Sequence, residues 1–444
     1  MLNFFLFFPF ISSKLLFVHL HFRHGTRGPC DHLDTNNKDL LGIYWETLGE
    51  LHSVGIRQSY ILGYLNHLKY KNFINEYFDP REIYIISTDF NRTINSALSF
   101  MHGMFNKGLL LKNNQIKNAV PPLNLSNETL NEIINLRNFA LPNQIQSFPI
   151  HIFNTLDHFT LLYESIGGCK GIKNIREQIN SQKFIYDLSI NFNNTYGEKL
   201  LKFLKKENEF NLFTNFNYIL VFCDHFISDK ITMKDINRIN ELKNFNIDFN
   251  EFTKSCGGVL QARLFDVTFG NEIIIKMSQS PSMRQLIKYF EGRINLNEKN
   301  NSNLLDYDYP KFVIYSAHDS TIAGIEKFMN LVFGSKLINP VHSSNLYFEL
   351  HFENNKYIVK YIINDEITEE FEFDVFKKKI DKYLWSDKEI EDFCQFSYKK
   401  VKDGSYYLYY ENILFYIIIF LILVVFSLGI LILYFKSKNN CKKK

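Results

Sequence analysis

The sequence has no concentrated stripe of basic residues. Its 444 residues carry 50 Lys and Arg against 47 Asp and Glu, a formal net charge of +3. That balance argues against a nucleic-acid binder, whose footprint is a clustered basic surface. No internal repeat is present, so the chain is not read as a repeat array. Metal-ligand patterns are missing too. His19, His21 and His24 lie close together, and His19 with His21 would share one strand face, which is one route to a metal site. No Cys or carboxylate lies at a typical ligand spacing from them, and His24 falls outside the alternation, so no metal and no other cofactor is expected.

Charge is also absent from residues 413–435, an apolar run long enough to cross a bilayer as a helix. Lys436, Lys438, Lys442, Lys443 and Lys444 follow it, while Lys402, Asp403 and Glu411 precede it. The positive-inside bias then puts the tail 436–444 in the cytosol and the rest of the chain on the other side. Residues 1–13 hold an apolar run from Phe4 to Ile11 with no basic residue before it. They read as a signal peptide, with a buried N-terminal strand as the alternative. The two segments agree on a single-pass type I topology.

The cysteines fit that topology. Cys441 lies in the tail, where a palmitate or a plain thiol is equally allowed. Cys30, Cys169, Cys223, Cys256 and Cys394 remain on the oxidising side, an odd number that leaves at least one unpaired or paired between chains. Glycan acceptor triplets begin at Asn124, Asn127, Asn193 and Asn300. A further one at Asn91 falls in a segment assigned to the active site and is not expected to be used.

With 46% hydrophobic residues the chain can bury a large core. Residues 15–22 read as a strand ending in the Gly- and Pro-containing loop Arg23-His24-Gly25-Thr26-Arg27-Gly28-Pro29. A helix is expected over 47–69, with Leu48, Leu51, Ile56, Ile61, Leu62 and Leu65 on its apolar repeat. A second strand over 82–88 and a helix over 92–105 follow, with Ser87, Thr88 and Asp89 offering caps. That order is the signature of a parallel sheet covered by helices. Residues 116–300 show no strand–helix alternation and read as a helical cap insertion, with helical stretches over 200–208 and 233–243. A strand over 311–316, the loop Ala317-His318-Asp319-Ser320-Thr321, a helix over 323–332, and strands over 346–352 and 356–363 complete the pattern.

Loops at the carboxyl ends of parallel strands gather at one edge and form a crevice. Here they supply Arg23, His24 and Arg27, then Arg92, then His318 and Asp319. Arginine forks match phosphate oxygens and stay charged at any working pH. An imidazole can attack phosphorus and carry the phosphoryl group, and a carboxylic acid can protonate the departing alkoxide. A protonated starting carboxyl would set an acidic working range.

These motifs resemble the histidine acid phosphatases, the branch with the lysosomal and prostatic enzymes. Arg23 to Pro29 is similar to the family signature, and Thr47-Leu48-Gly49 through Gly55-Ile56-Arg57-Gln58 and Leu62-Gly63 to its following helix. Ile86 to Thr93 with Ser96-Ala97, Tyr315 to Thr321, Gly257-Gly258-Val259-Leu260 and Leu346-Tyr347-Phe348-Glu349-Leu350 resemble further stretches. The likeness runs from Leu15 to Cys394. It implies a phosphoglycerate-mutase-like α/β sandwich with a mostly parallel sheet, a histidine phosphatase domain over 14–400 with its core at 14–115 and 301–400. By the same likeness His24 is the nucleophile, Asp319 the proton donor, and Arg23, Arg27, Arg92 and His318 bind phosphate. Cys169 and Cys394 resemble one family disulfide; Cys223 resembles half of another whose partner position is Ser344, so Cys256 or Cys30 substitutes or Cys223 is free. The tail lacks a Gly-Tyr sorting signal, leaving lysosomal, endosomal and plasma membranes open.

The expected activity is acid hydrolysis of phosphate monoesters. Narrower alternatives are a phytase, a lysophosphatidate phosphatase or a sugar-phosphate phosphatase; export removes a mutase from its usual metabolites. A catalytically dead surface binder of the same fold is the other class, and the intact residue set argues against it. The partners expected are phosphate monoesters and membrane lipid at the C-terminal helix, with a homodimer allowed.

Overall fold

Strand β1, Lys14–Arg23, is buried along nearly its whole length, because both of its faces are covered. Val18, Leu20 and Phe22 point into one apolar layer; Phe17 stacks on Tyr289 and meets Phe290 edge-on in the other. The computed structural model describes residues 13–30, 48–120, 123, 125–134, 138–142, 145–153, 169–180, 183–232, 236–301, 305–394, 398–400 and 406–408. The signal-peptide run and the apolar run 413–435 lie outside the described residues. No helix among the described residues is long and apolar enough to cross a membrane. Residues through Cys394 form one unit; the short strands Tyr398–Lys400 and Tyr406–Leu408 pair within a second.

In chain order, β1 is followed by helix α1 (Ser53–Tyr70), β2 (Ile83–Thr88), α2 (Asn91–Met104) and the short β3 (His151–Phe153). Helices α3 (Phe216–Thr232), α4 (Phe249–Ala262) and the long α5 (Glu272–Glu298) come next, among shorter ones. Then come β4 (Phe312–Ala317), α6 (Asp319–Phe333), β5 (Asn345–Glu353), β6 (Lys356–Ile363), β7 (Glu366–Glu372) and α7 (Phe373–Ile380). One seven-stranded sheet runs β3-β2-β4-β1-β5-β6-β7.

The sheet is mixed, which corrects the expectation of a mostly parallel one. β3, β2, β4 and β1 are parallel; β5, β6 and β7 are antiparallel. The reason lies in the connections. Asn354 and Asn355, then Asn364 and Asp365, all take positive φ, between 48° and 65°. Paired left-handed residues make two-residue hairpins, and such hairpins force antiparallel neighbours. β7 escapes sequence reading because it is a Glu-rich edge strand with little burial.

Two features of residues 116–300 were also not legible. β3 is only three residues long and adds to the sheet edge beside β2. α5 packs on β1 through Tyr289 and Phe290, so it belongs to a sheet layer. Between them α3 and α4 enclose a separate core that includes Phe213, Phe222, Phe226 and Phe252. The disulfide Cys223–Cys256 ties α3 to α4, and Cys169–Cys394 closes a longer loop; Cys30 is free.

α1 begins at Ser53, since Leu51 and His52 are occupied pairing with Arg27 and Thr26. Its apolar repeat is split: Leu62 is buried, but Ile56, Ile61 and Leu65 are exposed, while the small Gly55, Ser59 and Gly63 are buried. The small residues let α2 come close; a Cβ on Gly63 would lie 1.9 Å from the Phe100 carbonyl oxygen, and one on Gly103 2.0 Å from that of Tyr60.

Glu326 of α6 is 1% exposed. Its Oε2 accepts the Ile338 N–H at 2.9 Å and Oε1 has no partner among the described residues. Burial pushes its carboxyl up to about 8. The folded value is raised, so this stability is full below the unfolded value of about 4.3 and is lost as pH rises toward 8. Over that window the group should cost about 1.4 kcal/mol per pH unit. Denaturant titrations at pH values spanning this window should show Glu326→Gln losing less stability than the parent chain; equal losses would refute the assignment.

Candidate active site

The loop after β1 is pinned from three sides. The Gly25 N–H donates to Ser96 Oγ of α2 at 3.1 Å, and the Thr26 N–H and hydroxyl both donate to Gln58 Oε1 of α1 at 2.9 Å. Gly28 N–H donates to the Glu50 carbonyl at 3.0 Å. Gly25 and Gly55 touch backbone to backbone: a Cβ on Gly25 would lie 2.2 Å from the Gly55 carbonyl oxygen. No side chain fits there, and the approach fixes where His24 stands.

His24 is 2% exposed, and its Nδ1 lies 2.8 Å from the Gly25 carbonyl oxygen. A carbonyl only accepts, so Nδ1 carries the proton and Nε2 keeps its lone pair. Burial, with Arg23, Arg27, His318 and His342 nearby, holds the imidazole well below its usual range. The shift favours the neutral imidazole, the form a nucleophile needs. His318 caps α6 and its Nε2 meets Thr88 Oγ1 at 3.0 Å. Burial and then Arg92 hold it at about 3. Asp319 is the first residue of α6, which starts earlier than expected because His318 caps it, the His318 N–H donating to Thr321 Oγ1 at 3.4 Å. Ser87 and Thr88 do not cap α2; Ser87 Oγ donates to the Thr88 carbonyl, and Phe90 holds the cap position.

Arg23, His24, Arg27, Arg92, His318 and Asp319 line one cavity of about 650 Å³. Arg23 bonds Asp319 Oδ2 at 2.9 Å and the Pro340 carbonyl at 2.8 Å. Arg27 forks onto Asp224 at 3.0 and 3.2 Å. Arg92 stacks 4.4 Å over the Phe90 ring. Each of the three arginines keeps a buried Nε–H with no partner among the described residues. Spare, fixed donors around a neutral imidazole suit a phosphoryl group. His19 and His21 stand elsewhere: their rings contact each other at 3.2 Å among Tyr315, Tyr289 and Phe348, and no cluster of three metal-ligating side chains exists among the described residues.

Asp319 stands against the Arg23 guanidinium at 2.9 Å. Burial alone would raise its carboxyl, but Arg23, then Arg263 and Arg27, outweigh burial and hold it below the usual carboxylate range. Paired with Arg23, it is an anion. The same cavity includes residues that sequence reasoning missed. Asp224 comes from α3, and Ser228 one turn on donates to the Arg27 carbonyl at 2.7 Å, so α3 grips both ends of that residue. Their i, i+4 spacing was the only signal. Arg263 and His342 also line the cavity; His342 stands 5.8 Å from the His24 ring and reaches it from the loop before β5. His342, a single residue in an unpatterned loop, leaves no trace in the sequence, and Arg263 sits in the helical segment Arg263–Thr268 that continues α4.

Gly25→Ala should cost about 1–3 kcal/mol of stability and sharply weaken binding of inorganic phosphate, since only backbone stands in the way of the new methyl group. Calorimetric titration with phosphate and a denaturant midpoint check this; parental values for both would refute the close-approach argument.

Residues 14–364 match the model of the histidine phosphatase superfamily, branch 2. Prostatic acid phosphatase of Homo sapiens is 25% identical over 375 residues, covering 81% of this chain and 80% of that protein. Testicular acid phosphatase of Mus musculus is 42% identical over 96 residues, 21% of this chain and 23% of that one. Among solved structures, the apo phytase of Hafnia alvei aligns with a TM-score of 0.55 at 13% identity, over 84% of this chain and 97% of that one. The multiple inositol polyphosphate phosphatase of Bifidobacterium longum with phosphate aligns with a TM-score of 0.51 at 11% identity, over 85% and 94%. At such identities the structural likeness speaks to the fold alone. The family match is of another kind, since it spans β1 to β6 and every loop of the cavity: this chain belongs to the histidine phosphatase superfamily, branch 2.

Proposed function

We propose that the protein hydrolyses phosphate monoesters in acid through a phosphohistidine on His24. The observation that carries this reading is the convergence of a neutral, Nδ1-protonated His24 with three arginines that retain unpartnered donors. The relatives named acid phosphatases support it.

In this reading Arg23, Arg27, Arg92 and His318 hold the phosphoryl group. His24 Nε2 attacks phosphorus, and the bond from phosphorus to the ester oxygen breaks. Asp319 gives that oxygen a proton. Water then attacks the phosphohistidine, passing a proton to Asp319, and phosphate leaves. Asp319 acquires its first proton on substrate binding. A phosphoryl group draws Arg23 away from the carboxylate and adds negative charge beside it, and both effects raise the affinity of Asp319 for a proton. A monoanionic substrate brings that proton with it.

The membrane reading belongs here as well. Residues 413–435 anchor the chain as a type I protein, with the cavity on the lumenal or extracellular side. The two disulfides, Cys169–Cys394 and Cys223–Cys256, suit an oxidising compartment.

His24→Ala should abolish turnover and the acid-labile phosphoprotein trapped by rapid quench; a phosphoprotein that persists in that variant would rule out His24. Asp319→Asn should slow esters of poor leaving groups at least tenfold more than p-nitrophenyl phosphate, with equal losses counting against a proton donor. Since free Asp319 is already ionised, the alkaline limb of kcat/KM should follow the substrate's second phosphate ionisation, at about pH 6. Esters with a lower second ionisation should move the limb to lower pH. A limb that ignores the substrate would assign it to the enzyme instead.

A further inference from the structure

Helix α3 is apolar on two faces, and only one of them is used for folding. Ile219, Phe222, Cys223 and Phe226 lie in the core between α3 and α4. The other face, with Leu220, Val221, Ile227 and Ile231, lines the catalytic cavity and is only half-buried. A helix face toward open water is normally polar. Asp224 is the one charged residue of α3 on the cavity wall, and its carboxylate is engaged by Arg27 and the Cys30 N–H. Leu260 of α4 and the adjoining Leu264 extend the same wall.

The cations are placed otherwise. Arg23, Arg27, Arg92 and Arg263 line the cavity with no lysine among the lining residues. Arg23 is paired with Asp319 at 2.9 Å and Arg27 with Asp224 at 3.0 Å, while Arg263 stands about one helical turn from Leu260. The cavity thus combines an arginine cluster around His24 and Asp224 with an aliphatic stripe of α3.

We propose that this wall receives the alcohol part of the substrate, and that the preferred esters carry an apolar aliphatic or aromatic group in place of a polyphosphorylated polyol. The inference rests on the phosphatase reading above and specifies its substrate class. A polyol with several phosphates would press further dianions against Leu220, Val221, Ile227 and Ile231, where α3 contributes no cation to the cavity lining. Charges brought out of water without partners are costly. An apolar group at the same place releases water from both surfaces, a gain of about fourfold in affinity for each methylene fully covered.

The test needs no turnover. Calorimetric titration of the chain with non-hydrolysable methyl-, propyl- and hexylphosphonate measures affinity against apolar length. Affinity should rise about two- to fourfold per methylene until the wall is covered, and inositol hexakisphosphate should bind no tighter than hexylphosphonate. Leu260→Lys and, separately, Ile231→Asn should flatten that slope, and two positions guard against a variant that fails to fold. A parental series with no dependence on chain length, or tighter binding of inositol hexakisphosphate, would overturn the apolar-wall inference and leave the phosphatase reading intact. Failure to bind any phosphonate, methylphosphonate included, would overturn the phosphatase reading itself.

Discussion

The site depends on the register of β4 between its two parallel neighbours. Arg23 stands opposite Ala317 across β1 and β4, and Ser87 opposite Ser316 across β2 and β4. Three strands therefore end level, and the residues just beyond them meet. Slipping either pair by one residue would turn His24 or His318 to the other face of the sheet. Bonds between the loops reinforce the register: Ser316 Oγ donates to the Thr93 carbonyl at 2.7 Å, and the His24 N–H to the Ala317 carbonyl at 2.9 Å. The close contacts of Gly25 with Gly55 and of Gly63 with α2 bring the covering helices near enough to make those bonds.

On this frame the electrostatics follow from burial. Several arginines around a desolvated imidazole keep it uncharged, since a second cation there is unfavourable. The carboxylates do the opposite. Asp319 and Asp224 are each buried enough to resist ionising, and each is ionised because an arginine stands beside it. The two pairs differ in consequence. Arg27 and Asp224 join the loop after β1 to α3, with Ser228 as a second tie. In the proposed mechanism Arg23 and Asp319 both meet the phosphoryl group, so that pair is the one a substrate would break.

Much of this was legible because strand-end loops carry short, dense motifs. Arg23-His24-Gly25-Thr26-Arg27, Arg92 and His318-Asp319 each follow a β-rich run, and the rule that strand ends gather in a parallel sheet brings them together. The hairpins of β5 to β7 were half legible. Asn354-Asn355 reads as a turn, whereas the Glu-rich strand β7 has no apolar alternation to betray it. The apolar repeat of α1 was only partly a guide to its packing face: Leu62 is buried but Ile56, Ile61 and Leu65 are exposed, while Gly55, Ser59 and Gly63 are buried, because closeness to α2 mattered more than apolar area.

The sequence by itself determined the chemistry: which side chains are offered, how they cluster after strands, and which family they belong to. That information is local, and local spacing survives in one dimension. Only the tertiary structure decided the partners. It paired Cys223 with Cys256, brought Asp224 to Arg27 across 197 residues of chain, and set Arg23 against Asp319. Such pairings depend on where helices dock, and docking is settled by contacts between residues that carry no mark of each other in the sequence.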